Sequence, residues 1–130
     1  EFEELVERIS TAMTTAAWIQ LALTVVRERL GLKESDPISR KQGESMVDWE
    51  HRRRRIDTAR ASRVYSQGTT PELHQVLVSD RDEEFAQLCV EAMEAIEEGD
   101  DRPILCIAGL VHVDGIVNIS RKRLANGKGT

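Results

Sequence analysis

The chain is poor in residues that cross-link, bind zinc or stack on bases. Two cysteines in 130 residues exclude a disulfide scaffold. Three histidines and two cysteines, with no Cys-x-x-Cys or His-x-x-x-His spacing, exclude a clustered zinc finger. Aromatic residues are 4% of the chain, too few for a platform on which nucleobases stack. Lys+Arg is 18 against Asp+Glu 23, a net charge of −5. That is the wrong sign for a protein that coats nucleic acid, so nucleic acid is not an expected partner. Long apolar runs are also missing. Thr15 to Val26, interrupted by Gln20, spans about 12 residues where a membrane span needs about 20. No basic stretch precedes it, as one would in a signal peptide. With no targeting segment and no paired thiols, the expected location is the cytoplasm, or the soluble part of a membrane-associated protein. A chain that opens on Glu1 is expected to be a processed product or a piece of a longer protein.

What is present is 40% apolar and 32% charged, the balance of a globular chain of about one domain. Phe2, Leu5, Val6, Ile9, Met13, Ala16 and Ala17 recur with the 3.6-residue period, so residues 2–30 read as helix, stopped by Gly31. From Trp18 to Leu30 the apolar residues lie almost all round, which predicts burial by more than one neighbour. The β-branched run Thr24-Val25-Val26 is where a kink is expected. Asp36-Pro37 reads as a helix start, and the helical region continues, interrupted near Gly43, to about Ser66. Arg52 to Arg55 sit in its middle and wrap round it, so they cannot all face one partner. Trp18 and Trp49 read as core anchors, and Asp48, Glu50 and His51 as surface.

After a loop at 67–71, Pro71 to His74 forms a turn of helix, and Gln75 to Val78 reads as a strand or an extension of that turn. Ser79 and Asp80 are alternative caps, Asp80 with Glu83 making a capping-box pattern. Phe85, Leu88, Cys89, Ala92, Met93 and Ile96 then predict an amphipathic helix ended by Gly99. Pro103 to Gly109 is apolar on both faces and reads as a central parallel strand. Residues 109–115 read as the turn at its carboxyl end, and 116–125 as a final helix or short strand before Asn126-Gly127. The expected fold is therefore helix-rich α/β, with long N-terminal helices and a small, mainly parallel sheet element. Cys89 and Cys106 read as core thiols.

Two places carry chemistry. Ligands of open α/β sheets sit outside the carboxyl ends of strands, so Gly109 would let the backbone turn and His112 would stand at the rim, with Asp114 and Gly115 beyond. An imidazole there can bind a metal or move a proton near neutral pH. The second place is the helix start, where Asp82, Glu83 and Glu84 suit the dipole but Arg81 opposes it. Arg81 therefore needs compensating carboxylates or a function that uses a guanidinium.

Taken together, Leu77-Val78-Ser79-Asp80-Arg81-Asp82, the helix after it, the apolar run Ile104 to Ala108, and Gly109-Leu110-Val111-His112-Val113-Asp114-Gly115-Ile116 resemble the C-terminal half of the TraB/PrgY family. This is the pheromone-shutdown group related to the Tiki and GumN proteins. The resemblance covers about residues 70–125, and residues 1–66 form a separate helical region. It implies a hydrolase-like fold of two related halves, metal-dependent peptide hydrolysis or pheromone inactivation, and a divalent metal such as manganese or zinc. By position it assigns His112 as metal ligand or general base. Arg81 would be the oxyanion or carboxylate anchor, and Asp82 or Asp114 the orienting acid. Gly109, Gly115 and Asp114 would line the substrate side. Residues 1–69 lack the family's earlier Gly-x-x-His motif and its acidic residue. The chain is then expected to be a fragment lacking its N-terminal half, a homo-oligomer that completes the site by pairing, or a non-catalytic binding or regulatory module. Peptides are the expected substrates.

Overall fold

The computed structural model describes residues 2–96 and 102–127, and every regular element among them is helical. The chain divides into two units, Glu1–Leu77 and Val78–Thr130.

The first unit holds α1 (Phe2–Ala12), α2 (Thr15–Arg29), α3 (Met46–Arg53), α4 (Ile56–Thr69) and α5 (Pro71–His74). The helix expected over 2–30 is two helices bent by 100°. Thr14 causes the break. Its backbone is extended (φ −66, ψ 163) and its hydroxyl accepts from the Ala17 N–H at 3.2 Å, so it caps a new helix. Thr24-Val25-Val26 stays helical. α2 closes in a Schellman motif: Gly31 takes φ +68, Leu32 N–H donates to Arg27 O and Gly31 N–H to Glu28 O.

The core of this unit comprises Met13, Ala17, Ala59 and Val76, with Thr24, Thr69 and His74 also buried. α2 hides only Ala17 and Thr24, while Trp18, Ile19, Leu23, Val25 and Val26 remain 43% to 56% exposed. The expected all-round burial of α2, and Trp18 as a core anchor, are therefore corrected.

Asp36-Pro37 starts no helix. The Asp36 carboxylate accepts from Ile38 N–H at 3.0 Å and its carbonyl from Ser39 N–H at 2.8 Å, which makes a tight turn instead. Helix resumes after Ser45, whose hydroxyl accepts from Asp48 N–H at 3.1 Å. The four arginines straddle the break between α3 and α4, where each can point its own way. Arg52 gathers the 37–44 loop. It grips both Glu44 oxygens at 2.7 and 2.8 Å and donates to the carbonyls of Ser39 and Pro37. Arg53 and Arg54 pair with Glu50. Two polar ties join helices: Tyr65 Oη donates to Glu28 between α4 and α2, and Ser66 Oγ meets His74 Nδ1 at 2.7 Å between α4 and α5. Because the Ser66 hydroxyl donates to Arg63 O at 3.0 Å, the imidazole is the donor in the second tie.

A π-helical turn, Gln75–Ser79, leads directly into α6 (Asp80–Glu94). Ser79 is itself helical (φ −66, ψ −46), and its side chain makes no capping hydrogen bond. The anticipated conflict between Arg81 and a helix N-terminus dissolves, since the backbone N–H groups there already have helical partners upstream. The Gly99 stop lies outside the described residues. In the second unit α6 packs against α7 (Leu110–Gly127). The buried face of α6 is Asp82, Ala86 and Val90, four residues apart. Leu88 and Met93 from the expected stripe are 60% and 45% exposed. On α7, Gly115 and Ile116 are buried. Arg123 of α7 clamps the pair by donating to Glu83 at 2.5 Å and to Gln87.

The sheet element is the main correction. Residues 102–109 have no regular structure, and Ile104, Leu105 and Ile107 are 44%, 83% and 89% exposed. A strand satisfies its backbone only through neighbours, and among the described residues there is no other strand to pair with. The fold of the described residues is thus all-helical and not α/β. The segment 109–115, expected as a turn, is the start of α7, which continues through 116–125 as helix and passes Asn126. No single helix among the described residues is long and apolar enough to cross a membrane.

Candidate functional site

The seam between α6 and α7 is built on Asp82. Placed one turn before Ala86 on the inner face of α6, its side chain is completely buried. A buried carboxylate is costly unless hydrogen-bonded. Here it is: His112, in the first turn of α7, donates from Nδ1 to Asp82 Oδ1 at 2.7 Å. The imidazole is 14% exposed. With Nδ1 engaged, Nε2 is the nitrogen left to meet a proton. His112 N–H donates to Gly109 O at 2.9 Å, so the helix start itself holds the residue.

Phe85 completes the seam. Its ring meets that of His112 edge-on, with centroids 5.8 Å apart and planes at 73°. The Arg81 guanidinium lies over the same phenyl ring, 5.8 Å from its centroid. Arg81 is itself exposed. Arg81, Asp82 and His112 are thus gathered on one seam, with the phenyl ring of Phe85 against both the Arg81 guanidinium and the His112 ring. Sequence reading treated Phe85 as simple core. Its position four residues after Arg81 and three after Asp82 puts it on the same side of the helix, a spacing that a plain core residue shares.

The glycines play smaller parts than expected. Gly109 has no positive φ, and a Cβ there would lie 3.6 Å from His112 Cδ2, an ordinary contact. Gly115 is buried within α7 and does not open a loop. Asp114 is half-buried in the first turns of α7 and has polar or charged partners of its own.

Among the described residues there is no group of three or more His, Cys, Asp or Glu side chains that could ligate a metal. Asp82 already spends Oδ1 on His112, which leaves the seam short of the three protein ligands a catalytic zinc needs. What the arrangement can do alone is orient an imidazole and stabilise it when it takes a proton. His74, the other buried imidazole, is held by Ser66 between two helices, and His51 is exposed on α3.

A cleft of about 310 Å³ opens beside the seam in the same unit, lined by Cys106, Ile107, Ala108, Val113, Ile116 and Val117. Cys106 is exposed and Cys89 half-buried, so neither is the sealed core thiol that sequence suggested. No family model matches the chain, and no curated protein or solved structure matches it either.

Proposed function

We propose that the Asp82–His112 pair is the proton-transfer half of a peptide-hydrolysing site in a TraB/PrgY-like protein, completed by a second copy of the chain. The observation that carries this reading is the fully buried Asp82 carboxylate holding His112 Nδ1 at 2.7 Å. A side chain that merely packs does not need a buried anion behind it. A general base does, because the anion fixes the ring and favours its protonated form as the proton arrives. Arg81 supplies a cation beside the seam for a substrate carboxylate or a developing oxyanion. The residues that would complete a metal centre come from outside the described chain in this reading, and no step is assigned to a metal.

The test is cleavage of an unstructured peptide mixture, followed as release of new amino groups. The wild-type chain is expected to turn peptides over, and His112→Gln to lose about 100-fold or more. Equal rates in the two proteins, or peptides left intact by the wild type at every chain concentration, would remove the hydrolase.

A second reading, a helix-mediated binding module without catalysis, is favoured by the exposed apolar side chains of α2. It predicts peptide binding with no cleavage, unaffected by His112→Gln.

A further inference from the structure

Cys89 and Cys106 bring two thiols together, and neither takes part in the Asp82–His112 contact. Cys89 lies on α6 and Cys106 in the irregular segment 102–109. Their sulfurs are 3.4 Å apart, and both are free thiols. A disulfide is about 2.05 Å long, so closure needs the sulfurs to approach by about 1.4 Å. The segment can supply that movement. It has no backbone ladder, and Leu105 and Ile107 on either side of Cys106 are 83% and 89% exposed. Burial, with the neighbouring Cys106, pushes the Cys89 thiol above its usual range. The exposed Cys106 is therefore the sulfur an oxidant in solution meets first, and Cys89 is the resolving partner.

We infer that Cys89 and Cys106 form a reversible disulfide site, closed by hydrogen peroxide and reopened by a dithiol. The Cys106 thiolate attacks one peroxide oxygen, the O–O bond breaks, and the leaving oxygen departs as water after taking a proton. Cys106 is then a sulfenic acid. The Cys89 sulfur attacks the Cys106 sulfur, the S–S bond forms, and the sulfenic oxygen leaves as a second water with the proton Cys89 gives up. Two electrons pass from the two sulfurs to the peroxide. A dithiol returns them by exchange and becomes a cyclic disulfide. The bond ties to α6 the segment that ends at Gly109, directly before the helix that carries His112. This site does not depend on His112 being catalytic.

The test uses the full chain, dilute, exposed to hydrogen peroxide, then alkylated and weighed. The wild type is expected to lose both alkylatable thiols and two hydrogens of mass as a monomer. Peptide mapping should link Cys89 to Cys106, and dithiothreitol should restore both thiols. Cys89→Ser should instead accumulate a sulfenic acid on Cys106 that dimedone traps. Thiols that both remain alkylatable after peroxide, a link found only between copies, or Cys106 driven to sulfinic acid with no link to Cys89 would overturn the site.

Discussion

Asp82 is the residue on which the seam depends. It is the one fully buried acidic residue of 80–84, and its partner lies 30 positions away. Asp82→Ala would leave the His112 N–H without its acceptor in a mostly buried setting. We expect a loss of about 2 kcal/mol in chemical denaturation. Asp82→Asn keeps the shape and can still accept through its amide oxygen, so it should denature closer to wild type. It should nonetheless turn peptides over at least about tenfold more slowly, because a neutral amide no longer stabilises the protonated ring. If Asp82→Asn matched wild type in both measurements, Asp82 would be packing alone. The identities of Asp82, Arg81 and His112 could be read from the chain, since motif spacing is a local property. Phe85 could not be assigned to them. Its ring is apolar, and nothing in its neighbourhood distinguishes a side chain that fills a core from one that bridges a guanidinium and an imidazole.

Among the elements, the loop before α3 depends on charge more than on apolar burial. Glu44 is held down to about 2 from 4.5, first by the Arg52 guanidinium hydrogen bonds and then by the Lys41 N–H, against a smaller opposing effect of burial. A carboxyl depressed in the folded state adds stability above its unfolded value of 4.5 and loses it as the pH falls towards 2. Thermal melts should therefore show the wild type losing stability between about pH 4.5 and 2, with Glu44→Gln flatter over that window. Parallel curves for the two proteins would show that Arg52 holds the loop through its carbonyl contacts alone. Helix positions in this unit were partly legible. Gly31 ended α2 as its freedom at positive φ predicts, but Thr14 capped a new helix inside a stretch whose apolar period ran straight through it. Period reports which face is apolar. It does not report whether a hydroxyl has found the backbone.

For the molecule as a whole, the exposed apolar side chains of α2 and of 104–107 set the expected state in solution. Side chains that lose this much contact with water only by association favour a second copy. Sedimentation should show the chain associating with rising concentration, and Ile19→Glu with Val26→Glu should reduce that association while the helical circular dichroism is kept. A wild type that stays monomeric at all concentrations would remove a second copy as the source of the rest of the site. By itself the amino-acid sequence determined that α2 stops at Gly31, that Pro71 to His74 makes a turn of helix, and which residues could carry chemistry. These are short-range matters of hydrogen bonds within a few residues and of side-chain type. Tertiary structure decided that Pro103 to Gly109 is no strand, since pairing requires a distant neighbour. It also decided that α6 buries Asp82, Ala86 and Val90 and not the larger apolar stripe beside them, and that Cys89 meets Cys106. Each of these depends on which surfaces meet, and a chain read one window at a time does not contain that information.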